Sequence, residues 1–181
     1  MLHIKDETSG PAAVFFSSQH TLEREERRFD WDKMSFGKSR LLFCDSEGLW
    51  YQEHIDTILD YLNRIEPVLM VGCSRGGYAA LLFAHFMKCP SLTFSPQTIL
   101  QDQRWPEIEK ARQISRYPDL SFISGAQHVV YYCNGKSLDV WHAKRLDVTH
   151  IEITCDTHAV ATALKQRGQL NKILGDAWLP S

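Results

Sequence analysis

One stretch constrains this chain more than any other: Val68-Leu69-Met70-Val71-Gly72-Cys73-Ser74-Arg75-Gly76-Gly77-Tyr78-Ala79-Ala80. Its first four residues form a short apolar run of the kind that makes a buried strand. From Gly77 to Lys88 the chain is rich in Ala, Leu and Phe, which reads as a buried helix. Between them lies G-x-S-x-G, at Gly72, Ser74 and Gly76. A strand that gives way to a helix within so few residues must turn sharply. Glycine is needed at the flanking positions because a side chain there would meet neighbouring backbone. A serine on such a turn is held in a strained conformation with its hydroxyl exposed. The amide of Arg75 then sits at a helix N-terminus, where it can stabilise an oxyanion. Ser74 is therefore the candidate nucleophile. Cys73 is adjacent, but its place in the motif points its side chain elsewhere, and a nearby helix start alone does not make a thiol catalytic.

The rest of the chain repeats the pattern. Short apolar runs at Ala12–Ser17, Leu41–Cys44, Leu92–Phe94 and Val129–Cys133, with a weaker one at His150–Thr154, read as strands. Several are apolar at successive positions, which suits strands covered on both faces, as in a parallel sheet. Helical spacing is found over Tyr51–Ile65, stopped by Pro67, and over Trp105–Arg116, Trp141–Leu146 and His158–Leu174. Strand alternating with helix implies βαβ units. The expectation is one α/β domain over residues 1–181, a three-layer α/β/α sandwich on a mainly parallel sheet of about six strands.

Charge and cysteine usage exclude other classes. Lys and Arg total 20 against 22 Asp and Glu, so there is no basic excess of the kind a nucleic-acid binder carries. No apolar run approaches the roughly 18 residues of a membrane span. The N-terminus lacks the apolar core of a signal peptide. The five cysteines are odd in number and show no C-x-x-C spacing, which argues against zinc and for reduced core thiols in a cytoplasmic protein. No metal or organic cofactor is implied.

A serine needs a base to act as a nucleophile near neutral pH. In a strand-turn-serine arrangement of this type the acid and then the histidine follow in sequence. His158 is the best-placed base, because it follows the last strand and opens the final helix. His85 falls inside a helix, His128 and His150 start strands at the opposite sheet edge, and His142 is a weaker competitor on a helix. Asp139, in the loop after Val129–Cys133, is the candidate acid, with a role in fixing the imidazole tautomer. Its alternative role is to cap the helix that follows. Asp156 is the rival acid, only two residues from His158. A second oxyanion amide is expected after an early strand, at Ser18 or a neighbour.

At these residues the chain resembles the α/β-hydrolase superfamily. More narrowly, it resembles small α/β-hydrolase-like proteins associated with bacterial polysaccharide biosynthesis. The resemblance rests on Phe16-Ser17-Ser18, Asp45 through Trp50-Tyr51, Gly72 through Phe83, Phe94-Ser95-Pro96-Gln97, Asp139 through His142-Ala143, and His158 through Leu170. It implies a Ser74-His158-Asp139 triad, and an esterase or deacylase that cleaves a short acyl ester such as one on a saccharide, or an acyltransferase using the same serine. Arg75 stands where many relatives have Met, which would favour an anionic substrate or leave the side chain in solvent. The aromatics Trp31, Trp50, Tyr51 and Trp105 motivate a different reading, a non-catalytic module that binds a glycan or a protein. Aromatics of this size more often pack in cores. The chain is too short for a full lid domain, so only Thr21–Lys38 and Ser95–Gly125 could partly cover Ser74.

Overall fold

The computed structural model describes residues 1–18, 31–32, 39–100 and 106–178. Most of the charged segment Thr21–Lys38, and Trp105, lie outside the described residues. The strands are β1 (Leu2–Glu7), β2 (Ala12–Phe16), β3 (Arg40–Asp45), β4 (Pro67–Cys73), β5 (Ser91–Phe94), β6 (Ser124–Cys133) and β7 (Asp147–Ile153). They form one seven-stranded sheet in the order β1-β3-β2-β4-β5-β6-β7. Every pairing is parallel except that of β1 with β3.

β2, β3, β4 and β6 are apolar at successive positions because both faces of the sheet are covered there. In β2, Val14 and Phe16 enter one core while Ala13 and Phe15 enter the other. That split is the two-residue period of an extended chain. The first core also holds residues of α1 (Ile55–Leu62), α2 (Arg75–Met87), α3 (Pro106–Ile114) and α4 (Ser137–Lys144). The second holds residues of α5 (Val160–Gln166) and α6 (Leu170–Trp178). The result is the expected three-layer arrangement.

Three features differ from the sequence expectation. β1 adds a seventh strand at the sheet edge. The span His158–Leu174 is two helices rather than one, broken at Gly168, whose φ of 70° ends α5. His128 and His150 lie inside β6 and β7 rather than at their starts. Among the described residues, no helix is long and apolar enough to cross a membrane.

Register aligns the carboxyl ends of the central strands. Cys73 pairs with Phe94, Phe94 with Tyr131, and Cys133 with Ile153. The turns that follow β4, β5, β6 and β7 therefore emerge along one edge. This is the edge at which open α/β sheets bind ligands.

Candidate functional site

Ser74 occupies the turn between β4 and α2 with φ 51° and ψ −117°. This is backbone that L-residues rarely adopt. The turn is held by its own bonds. The Ser74 amide donates to Phe94 O at 2.9 Å, and Ser74 O accepts from the amides of Tyr78 at 3.1 Å and Gln97 at 3.3 Å. A Cβ on Gly72 would collide with the carbonyl of Gly76, and one on Gly76 would collide with the carbonyl of Phe16. Both glycines are thus required by close backbone approach. Cys73 packs toward the second core, on the α5 and α6 face.

His158 and Asp139 come to the same edge. His158 Nε2 lies 2.8 Å from Ser74 Oγ, and His158 Nδ1 lies 2.6 Å from Asp139 Oδ1. In the tautomer that a carboxylate at Nδ1 favours, Nδ1–H donates to Asp139 and Nε2 accepts the serine hydroxyl proton. The Asp139 side chain is 3% exposed and that of His158 is 44% exposed. The acid is therefore sealed from water while the imidazole faces it. A Cβ on Gly135 would strike Cys155 O, so the loops that carry the acid and the histidine pass in close contact.

Neither competitor occupies these positions. Asp156 is exposed, and Asp139 faces Nδ1 instead. Asp139 lies in the first turn of α4, whose N-cap is Lys136, so the capping role does not apply. His142 is buried and accepts from the Thr98 amide at Nδ1, at 3.1 Å. His128 is buried with Nδ1 3.0 Å from Ser91 Oγ, His150 Nε2 meets Ala143 O at 2.8 Å, and His85 is exposed on α2. Burial holds His128 below its ordinary value.

The loop after β2 is pinned by side chains. Phe16 O accepts from Trp31 Nε1 at 3.1 Å, Ser17 O from Tyr51 OH at 2.8 Å, and Ser18 O from Arg75 Nε at 2.9 Å. Three successive carbonyls are thereby fixed. In a trans peptide the N–H points opposite the preceding C=O, so holding Ser17 O also aims the amide of Ser18.

Arg75 reaches further. Its Nη1 donates to Gly48 O at 3.0 Å, and its guanidinium lies 5.1 Å from the Trp50 ring centroid. The cation is bonded to two carbonyls and lies against an aromatic face, so it is a pinned, half-buried side chain rather than a freely solvated one. Trp31, Trp50 and Tyr51 are 4%, 3% and 2% exposed, which removes them from any sugar-stacking surface. The Asp45-to-Tyr51 segment serves the same loop. Buried Asp45 accepts from the amides of Glu47, Leu49 and Tyr51, and holds Trp50 and Tyr51 at φ 53° and 63°. The sequence reading missed these side-chain roles. The only signal for them was the Asp45-to-Tyr51 motif itself.

Among the described residues, no group of three or more His, Cys, Asp or Glu is arranged to hold a metal ion.

No family model and no curated protein sequence matches the chain significantly. Solved structures do resemble it. XC6422 from Xanthomonas campestris, described as an α/β serine hydrolase without a lid, superposes with a TM-score of 0.58 at 14% identity, over 99% of this chain and 89% of that one. FphF, a fluorophosphonate-binding serine hydrolase of Staphylococcus aureus, superposes with a TM-score of 0.53 at 12% identity, over 96% of this chain and 91% of that one. At this level of identity the likeness concerns architecture. The chain has the α/β-hydrolase fold.

Proposed function

We propose that this protein is a serine hydrolase that cleaves short acyl esters. The observation that carries the reading is the continuous hydrogen-bonded line Ser74 Oγ, His158 Nε2, His158 Nδ1, Asp139 Oδ1, which begins at a strained serine on a strand-to-helix turn. The fold shared with serine hydrolases supports it.

In the proposed reaction Ser74 Oγ attacks the ester carbonyl carbon as His158 Nε2 takes the hydroxyl proton. The carbonyl π pair moves to oxygen. The amides of Arg75, at the first residue of α2, and of Ser18 stabilise that oxyanion. Collapse breaks the bond to the alcohol oxygen, which receives the proton from Nε2 and leaves an acyl-serine. Water then attacks the acyl-serine with Nε2 again as base, releasing a carboxylic acid and restoring Ser74. Asp139 stays ionised and stabilises the imidazolium. No cofactor takes part.

The sequence resemblance favours an acyl group carried by a saccharide; the chain length and the cysteine pattern favour a single domain in a cytoplasmic protein. Acyl transfer to a second hydroxyl would use the same acyl-serine and differ only in what attacks it.

The test is p-nitrophenyl acetate turnover together with fluorophosphonate labelling. Ser74 should carry the phosphonyl group by peptide mass spectrometry. Ser74→Ala and His158→Ala should each lower kcat by about 10⁴-fold or more. An unlabelled Ser74 in folded protein would refute the reading. A panel of O-acetylated sugars, compared with and without a free acceptor sugar, separates hydrolysis from transfer.

A further inference from the structure

The segment Phe94-Ser95-Pro96-Gln97 stands out in the sequence but has no part in the chemistry described so far. In the fold it is where β5 ends, between the Ser74 turn and Asp139. Phe94 O accepts from the Ser74 amide, and the Gln97 amide donates to Ser74 O. Ser95, between them, is 1% exposed and has φ 44°. Its amide donates to Tyr131 O at 2.7 Å, and its hydroxyl donates to Asp139 Oδ2 at 2.8 Å. The other oxygen of the same carboxylate, Oδ1, faces His158 Nδ1.

A carboxylate with one partner can rotate about its χ2 bond and exchange its oxygens. With a donor on each oxygen, its plane is fixed. A buried carboxylate also needs both oxygens satisfied. The backbone argues the same way. Glycine would occupy φ 44° without strain, whereas a residue with a Cβ is disfavoured there. What serine supplies that glycine does not is the hydroxyl on Asp139.

We propose that Ser95 is a positioning residue. Its hydroxyl locks the Asp139 carboxylate in the plane that orients His158 toward Ser74. The proposal rests on the hydrolase reading for its consequence in rate, but its geometry can be measured separately.

The experiment compares wild type with Ser95→Gly and Ser95→Ala. Both lose the hydroxyl, and only the glycine variant relaxes the backbone. The first readout is the proton resonance of His158 Nδ1–H in protein labelled with ¹⁵N-histidine. It should lie far downfield in wild type, then move and broaden in both variants. The second is p-nitrophenyl acetate kinetics. In both variants kcat should fall by about tenfold to a hundredfold with KM unchanged, the size expected for losing one hydrogen bond to a charged group. A resonance unchanged in either variant overturns the proposal, as does recovery in Ser95→Gly of what Ser95→Ala loses. Absence of wild-type esterase activity and of fluorophosphonate labelling would instead count against the hydrolase reading, and the resonance would still decide the role of Ser95.

Discussion

At almost any position, replacing alanine by glycine costs a protein stability. At residue 74 the sign should reverse. The two variants to compare are Ser74→Ala and Ser74→Gly. Both lose the hydroxyl contact with His158 Nε2, so that difference cancels. What remains is one methyl group on a backbone at φ 51° and ψ −117°. Strain of this kind is worth about 1–3 kcal/mol. Against it stands the greater freedom that glycine gives the unfolded chain, about 0.5–1 kcal/mol. Taken at the middle of each range, the balance favours Ser74→Gly by about 1.3 kcal/mol. With an unfolding entropy of about 2.1 cal/mol/K per residue over 181 residues, the glycine variant should melt about 3 °C above the alanine one. Urea unfolding of both, beside an Ala/Gly pair at exposed Thr162 in α5, reads the effect against an ordinary helical site. The control pair should favour alanine. If Ser74→Gly is no more stable than Ser74→Ala, the serine is not strained, and the argument that the turn stores energy fails.

Three further outcomes follow from the geometry. Gly76→Ala would place a methyl 2.8 Å from the Phe16 carbonyl carbon and 2.9 Å from Ser17 O, so urea titration should show a loss of about 3 kcal/mol or more. Arg75→Met keeps the Arg75 amide but frees Ser18 O, and Tyr51→Phe frees Ser17 O; each should lower kcat severalfold at constant KM. Because the two carbonyls are adjacent, the double variant should depart from additivity by about 0.5 kcal/mol or more, measured as ΔΔG‡ of kcat/KM. His128 is held below its ordinary 6.5 by burial, so below that pH the unfolded chain takes up a proton that the folded chain refuses. Stability should therefore fall as pH drops from about 6.5 toward the folded-state value, by at most about 1.4 kcal/mol per pH unit from this group. His128→Asn, which can still meet Ser91 Oγ, should flatten that dependence in urea titrations at about pH 7 and pH 5.

What could be read from residues alone was what burial imposes. β2, β3, β4 and β6 each hold a run such as Val14-Phe15-Phe16 or Val68-Leu69-Met70-Val71, because covering both faces favours apolar side chains at successive positions, whereas β5 alternates as Ser91-Leu92-Thr93-Phe94 and buries its two hydroxyls. β1 escaped notice because it is an edge strand, mostly half-buried, and it carries Lys5, Asp6 and Glu7. The break between α5 and α6 was hidden by apolar spacing that continues across it, although Gly168 marked it. At the site, Ser74, Asp139 and His158 follow β4, β6 and β7 at one sheet edge, and they are residue types that acyl chemistry asks for in that order, so motif and order were enough to bring them forward as candidates. Ser95 and the side chains of Arg75 and Tyr51 were not legible in the same way. Ser95 acts on another side chain's second oxygen, and the other two act on backbone carbonyls. Neither partnership has a preferred sequence spacing.

The distribution of backbone strain ties these residues together. Among the described residues, five non-glycine residues have positive φ: Trp50, Tyr51, Ser74, Lys88 and Ser95. Lys88 is the C-cap of α2, where left-handed backbone is ordinary. The other four follow β3, β4 and β5 at the same sheet edge. Glycine at any of them would remove strain of about 1–2 kcal/mol. Each instead carries a side chain that bonds a neighbour in the site: Trp50 Nε1 to Gln97 Oε1, Tyr51 OH to Ser17 O, Ser74 Oγ to His158, and Ser95 Oγ to Asp139. The backbone at all four is also tied down, by Gln52 Nε2 donating to Trp50 O, the Tyr51 amide to Asp45, the Ser74 amide to Phe94 O and the Ser95 amide to Tyr131 O. Strain here therefore marks positions where the side chain is required and the surrounding strands hold it in place. Strain and the bond to Asp139 together distinguish Ser95 from the other buried serines and threonines, Ser17, Ser39, Ser91, Thr93 and Thr98, and strain groups Ser95 with Ser74.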